Sequence, residues 1–250
     1  MKNKAKKYLF GLIGVALFLG IWEICARIVN FDMILPTVGM TFTELCLLFT
    51  KSSFYVTVLA SFGRIILGLL LGIVIGVLLS LITNYIPYAR EILSPLITVI
   101  RSTPVASFIM VLWVIIGSAF VPTVIAVLMV MPIIWQNLEE GFSSIAKDLN
   151  EVCQIYGIRG RKKLRILILP TLKKYLIPSI ITSAGLSWKS GIAAEIISYT
   201  SNSIGREIYN AKSDFESGIM FAWTIIVVIS SLIIEKALKL VVYFSSREVS

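Results

Sequence analysis

The sequence predicts an all-α membrane protein with six transmembrane helices and both termini in the cytoplasm. Three observations predict it. Of the 250 residues, 57% are hydrophobic and only 15% charged, whereas soluble domains carry about 25% charged residues. Mean hydropathy is +0.91. The apolar residues also fall into blocks long enough to cross a bilayer, which takes roughly 20 residues each.

The elements follow in order. Met1–Lys7 reads MKNKAKK, and an apolar run begins at Tyr8. A basic start before an apolar core is also a signal-peptide pattern. The poor small-x-small site, with Glu23 and Arg27 directly after the run, favours an uncleaved first span, Tyr8–Val29. Asn30–Phe54, with Pro36 and an amphipathic piece at Thr41–Phe49, reads as an external loop with a surface helix. Val56–Ile82 is the second span. Its Gly68, Gly72 and Gly76 recur every fourth residue, which cuts a groove along one face and lets another helix approach closely.

Asn84–Glu91 is a polar turn with Pro87. Ile92–Ile116 is the third span, interrupted by Pro95, Arg101 and Pro104, and Gly117-Ser118 forms a tight turn. Val121–Leu138 is the fourth span, Glu139–Lys174 a long polar segment, Tyr175–Ile197 the fifth span, Tyr199–Glu216 a polar connection, and Gly218–Phe244 the sixth span. No flexible linker interrupts the chain, so residues 1–250 read as one transmembrane domain.

Charge supplies the orientation. Six spans put both termini and the Glu139–Lys174 segment on one side. That side holds four lysines before Tyr8, Arg90, eight Lys/Arg between Lys147 and Lys174, and Arg247; the other holds Arg27, Lys51, Arg206 and Lys212. Basic loops stay in the cytoplasm. The net charge of +9 therefore reflects topology and contact with membrane lipid. Nucleic acid is not expected, because the basic residues sit between apolar runs without the interleaved aromatics of a strand-binding surface.

Several chemistries drop out. There is no histidine, and Cys25, Cys46 and Cys153 are scattered. No metal site, thiol pair, catalytic triad or cofactor is expected. No GxxxxGK[ST] phosphate loop occurs, so the chain lacks the usual means of cradling ATP.

The stretch EVCQIYGIRGRKKLRILILP, Glu151–Pro170, stands out in the long polar segment. Glu151–Ile158 can form a short helix, with Asp148 or Asn150 as cap and Gly157 and Gly160 as its end. RGRKKLR reads as a solvated turn, Leu164–Leu169 leads back to the bilayer, and Pro170 marks the boundary. The residues alone fit either an exposed cytoplasmic knob or an ordinary basic loop.

This stretch resembles the cytoplasmic motif of the membrane subunits of binding-protein-dependent ABC importers: Glu-Ala-Ala, three residues, Gly, nine residues, then Ile-x-Leu-Pro. Here it reads Glu151-Val152-Cys153, three residues, Gly157, nine residues, then Leu167-Ile168-Leu169-Pro170. Val152, Cys153 and Leu167 depart from the pattern but keep its polarity. Leu35-Pro36, Arg64 with Gly68, Arg101-Ser102-Thr103-Pro104 and Ala194-Glu195 resemble the nitrate/sulfonate/taurine branch. The resemblance implies a type I ABC importer permease fold. It implies a coupling role for Glu151, Val152, Cys153, Tyr156, Gly157, Leu169 and Pro170 against a separate ATPase. It further implies two ATPase copies, a second permease copy and an extracytoplasmic solute-binding protein, in a bacterial plasma membrane.

Lys189 and Glu195 lie within the fifth span, where a charge near the bilayer centre costs about 2.5–3.5 kcal/mol. Six residues apart, they do not share a helix face. Trp188 and Glu195 do, with Gly185 and Ile192 between them. That face is expected to look toward the translocation path, with Lys189 nearby; an alternative is that Glu195 is hydrated near the outer interface. Arg64 and Arg101 are expected to snorkel near span ends.

The function these readings support is not enzymatic. The chain is expected to be the membrane-spanning subunit of an ATP-driven importer moving a small anionic or heterocyclic solute. The alternative is a self-contained secondary transporter or channel. An intramembrane enzyme is disfavoured, because Glu195 has no acidic partner in its span.

Overall fold

The computed structural model describes residues 2–145, 147–158 and 160–247. Arg159, in the basic run, lies outside them. The chain is helical: α1 (Lys2–Val29), α2 (Val38–Thr50), α3 (Ser52–Tyr85), α4 (Ala89–Ser102), α5 (Val105–Ile116), α6 (Val121–Ser143), α7 (Lys147–Ile155), α8 (Gly160–Lys163), a π turn (Leu164–Ile168), α9 (Leu169–Ser198), α10 (Ile204–Ser213) and α11 (Ser217–Arg247).

α3, α6 and α9 make the most extensive contacts and form the centre. The expected glycine groove is real, and its occupant is α6. A Cβ on Gly68 would lie 2.5 Å from the Thr123 carbonyl oxygen, one on Gly72 2.7 Å from Val130 Cβ, and one on Gly76 2.7 Å from Ile134 Cβ. The other flank of α6 meets α9, where Trp188 and Ile192 join Ile65, Leu69, Val130 and Ile134 in the core.

Among the described residues, four helices are long and apolar enough to cross a membrane: α1, α3, α6 and α11. A fifth span is present if α4 and α5, bent by 101° at Thr103-Pro104, count as one. The third span is therefore not one rod, as expected from Ile92–Ile116. Pro104 removes a ladder donor and biases Thr103 toward extended backbone, at ψ 132°. α4 lies across α6. Arg90 pairs with Glu139 at 3.5 Å and Arg101 donates to Gln136, so roughly 16 Å of α4 meets less than one turn of α6.

The expected fifth span falls in α9, which is less apolar than the four. Its polarity is turned inward. Ser179, Ser183, Ser187, Ser190 and Ser198 are buried, and four of them donate to carbonyls three or four residues back, such as Ser179 to Leu176 at 2.7 Å. Small side chains that satisfy themselves on their own helix let neighbours approach.

The long polar segment is shorter than expected from Glu139–Lys174. Glu139–Ser143 complete α6, and Leu169–Lys174 open α9. From Gly160 on, the basic run is helical rather than a turn: α8, the π turn and α9 form one continuous helical run from Gly160 to Ser198. Pro170, without an N–H, sits at its π-to-α junction. There Leu169 N–H reaches the Leu164 carbonyl, and Thr171 Oγ1 donates to Leu167 at 2.8 Å, which re-satisfies freed carbonyls. The end of the bundle bearing residues 144–168 is called basal below, and the opposite end apical.

Candidate functional site: the basal knob and the apical clasp

The basal knob is α7 and the turn after it. α7 starts at Lys147, so Asp148 and Asn150 lie inside its first turn rather than before it. It ends as a Schellman turn. Ile158 N–H bonds the Cys153 carbonyl at 2.7 Å, Tyr156 N–H bonds Val152 at 3.0 Å, and Gly157 takes φ +65°. Glycine adopts that conformation without strain. The turn sends Val152, Ile155 and Tyr156 outward; Ile155 is 80% and Tyr156 76% exposed. Glu151 and Gly157 are exposed with them, while Cys153 is buried and faces back to the bundle. Leu169 and Pro170 are exposed at the start of α9, apart from the knob surface. The large apolar side chains of α7 are thus displayed at the basal end rather than packed.

The apical clasp centres on Glu195, which the sequence reading had expected at a path-facing surface. Glu195 and Trp188 are each 0% exposed, so their shared face looks into the protein. Trp188 Nε1 donates to the Val227 carbonyl at 3.0 Å, and its ring lies 4.5 Å from that of Phe62. Glu195 Oε2 accepts from Ser61 Oγ at 2.9 Å and from Gly205 N–H at 3.2 Å, and Oε1 accepts from Arg64 at 3.2 Å. Arg64 does not snorkel. Its other arm donates to the Ser201 and Asn202 carbonyls at 2.7 and 3.0 Å. Ser61 closes the ring by accepting from Ile204 N–H at 2.9 Å. A carboxylate that accepts from Gly205 N–H in the first turn of α10 also complements that helix's positive end. Of the three residues expected at the path, only Lys189 is exposed; it lies within Coulomb range of Glu235 on α11.

Sequence reasoning missed Ser61, Gly205 and a second buried carboxylate, Glu139. A Cβ on Gly205 would lie 2.4 Å from Glu195 Cβ, so that glycine is a condition of the clasp. Glu139, assigned by sequence to the polar segment, bonds Thr83 Oγ1, which also accepts from Trp135 Nε1 at 3.1 Å. The available signal was charge: Arg64 and Glu195 have opposite sign in two spans that run antiparallel. Among the described residues no group of His, Cys, Asp and Glu could hold a metal ion.

Comparisons with known proteins fit this geometry. Residues 68–242 match the family described as "binding-protein-dependent transport system inner membrane component". A Methanocaldococcus jannaschii protein, provisionally named an ABC transporter permease, is 23% identical over 246 residues, 96% of this chain and 91% of its own. The taurine transport system permease protein of Escherichia coli is 23% identical over 193 residues, 76% of this chain and 70% of its own. The bicarbonate transport system permease protein of Synechococcus elongatus is 32% identical over 87 residues, 34% of this chain and 31% of its own. Among solved structures, an amino acid ABC transporter crystallised with histidines superposes with a TM-score of 0.62 at 16% identity, over 77% of this chain and 93% of that one. That likeness concerns the fold.

Proposed function

We propose, from the premise that this chain belongs to the family of binding-protein-dependent transport system inner membrane components, that it is the permease subunit of an ATP-driven importer. An extracytoplasmic binding protein delivers the solute, and two copies of a separate ATPase drive a permease dimer in a bacterial plasma membrane. Both termini and the knob face the cytoplasm, and six crossings are made, with α4–α5 and α9 completing the four strongly apolar helices.

The observation that carries this reading is the exposed apolar knob. Val152 and Ile155 on α7, with Tyr156 in the turn after it, are exposed at the basal end of the bundle. Uncovered apolar side chains rimmed by polar residues mark a partner surface. The sequence has no phosphate loop of its own, so the partner supplies ATP hydrolysis. Glu151, Val152 and Gly157 form the docking surface, Cys153 anchors the helix from beneath, and Leu169 and Pro170 fix where the run re-enters the bundle.

Relatives named for taurine and bicarbonate transport suggest a small solute bearing an anionic group, and the exposed cation Lys189 is compatible with one. Gentle detergent extraction of the tagged protein from its native membrane, followed by mass spectrometry, tests the reading. Recovery of a stoichiometric ATPase, lost on Tyr156→Ala, supports it. A homo-oligomer without ATPase, under conditions that preserve another importer, overturns it in favour of a self-contained transporter.

A further inference from the structure

A hollow of about 310 Å³ opens at the apical end between the α2–α3 junction, α10 and the start of α11. Its floor is apolar: Leu48, Phe54 and Trp223 are buried, and the rings of Phe54 and Trp223 lie 5.4 Å apart. Its rim is charged. Glu207 and Asp214 come from α10 and its C-cap, Glu216 from just before α11, and Lys51 from the break between α2 and α3. Three acids against one lysine leave a balance of −2. The surroundings do not cancel it. Asp32 and Glu44 line an adjoining hollow that shares Glu216. Arg206 is stacked over the Tyr199 ring at 4.6 Å, and Lys212 is exposed. Counting these four as well gives five acids against three cations, still −2. Among the described residues no ion pair joins Lys51, Arg206 or Lys212 to an acid.

Thr57 is the independent sign of a ligand. It lines the hollow from α3 and is only 8% exposed. Its hydroxyl makes no hydrogen bond, and it is not one of the sealed hydroxyls, which are those of Thr41, Ser80 and Ser183 among the described residues. A buried polar group of this kind ordinarily has a partner, and the hollow is where one can enter. A metal ion does not fit, because no group of His, Cys, Asp and Glu among the described residues could hold one. Glu207 and Asp214, seven positions apart, are separated by about 10 Å along the helix axis, which an extended organic cation spans and a point ion does not.

We propose that this hollow binds a small organic cation through a primary ammonium group. The half-buried Glu207 and the Thr57 hydroxyl oxygen accept from the ammonium N–H groups. The carbon chain covers Phe54 and Trp223, aromatic surface that also suits a cation. The exposed Asp214 and Glu216 hold positive charge at the mouth. A quaternary ammonium has no N–H to give Thr57, so the primary group is the better ligand. Bound there, the amine ties the α2–α3 junction to α10, whose start the Glu195 clasp already fixes.

The test is equilibrium dialysis of the full-length protein, in a non-ionic detergent at about 0.15 M salt, against radiolabelled 1,4-diaminobutane. The two ammonium groups of this probe match the balance of the rim. Saturable binding at a single site per chain is expected. The neutral isostere 1,4-butanediol is expected to compete at least about tenfold less well, as lost charge-assisted hydrogen bonds imply. Glu207→Gln is expected to weaken binding about tenfold. Thr57→Val is expected to weaken it several-fold at unchanged net charge, and Thr57→Ser, which keeps the hydroxyl, to bind as the parent does. Lys51→Gln is expected to tighten binding by removing a like charge. Asp32→Asn removes the same charge as Glu207→Gln but from the adjoining hollow, and is expected to change binding less than about twofold under this screening. Absence of saturable binding overturns the proposal, as does equal competition by the diol. Unchanged binding by Thr57→Val overturns it too. Equal weakening by Asp32→Asn and Glu207→Gln overturns it by reducing the site to a diffuse acidic surface. A melting curve checks the fold of each variant, and Asp214→Asn replaces Glu207→Gln if the latter does not fold. Neither dialysis nor melting involves transport or an ATPase, so the outcome stands apart from the importer reading.

Discussion

Arg64 and Glu195 meet at 3.2 Å across 131 positions of sequence, the arginine 22% exposed and the glutamate fully enclosed. Their contact joins α3 to α9, and through Gly205 and the Ser201 and Asn202 carbonyls it fixes the start of α10. Arg64→Met leaves an uncompensated carboxylate in the protein interior. Breaking a buried pair from one side costs about 3–5 kcal/mol. The expected result is a large fall in thermal stability of the detergent-solubilised protein. Glu195→Gln, which keeps the side chain's shape and an acceptor for Ser61 or Gly205, is expected to cost less, and the measurement is a melting curve for each.

The glycine groove predicts a contrast within one helix. Gly72→Ala places a methyl 2.7 Å from Val130 Cβ, whereas Gly63→Ala meets nothing within 4 Å. Overpacking of this kind costs about 1–3 kcal/mol. At an open helical site the same change is favourable by about 1 kcal/mol. Melting of the two variants should therefore shift in opposite directions.

Gly157 separates backbone strain from docking. A Cβ there meets nothing within 4 Å, but φ is +65°. Valine in the left-handed region is strained by about 1–2 kcal/mol, and asparagine is tolerated. Gly157→Asn should retain most uptake. Gly157→Asp adds charge to the docking surface and should abolish uptake at normal abundance in the membrane. Solute uptake normalised to immunoblot signal checks both.

Tyr156 and Ile155 provide the direct test of the knob. Truncating a central aromatic anchor in an interface removes about 2 kcal/mol or more, roughly a thirtyfold loss of affinity. Tyr156→Ala and Ile155→Ser should lose the ATPase on purification while the permease melts at its usual temperature, because neither side chain packs on the bundle.

Much of the fold was legible because lipid imposes its rules on composition. Apolar block length located α1, α3, α6 and α11, and glycines at intervals of four marked the face of α3 that receives α6. The end of α7 was legible, since Gly157 lies where a Schellman turn needs positive φ, while the residues alone left an exposed knob and an ordinary basic loop both open. Two features were not. The turn expected at RGRKKLR is helical from Gly160 on because the run continues through a π turn into α9, and no local signal distinguishes that from a solvated loop. Glu195 was read as facing a path because its partners come from Ser61 and Arg64, more than a hundred residues earlier. Helical periodicity identifies a shared face but not what the face meets.

The unbroken run from Gly160 to Ser198 has one further implication. At 1.5 Å per residue it spans roughly 58 Å of contour, about twice the hydrocarbon thickness of a bilayer. One tip adjoins the knob, and the other grips α10 through Glu195. Such an element has the geometry of a lever that is packed against α6 and α3 between its tips. A tilt of only about 5° over that length displaces one tip relative to the other by about 5 Å. The π turn lies at the end next to the knob, where a stroke from outside the bilayer would be received.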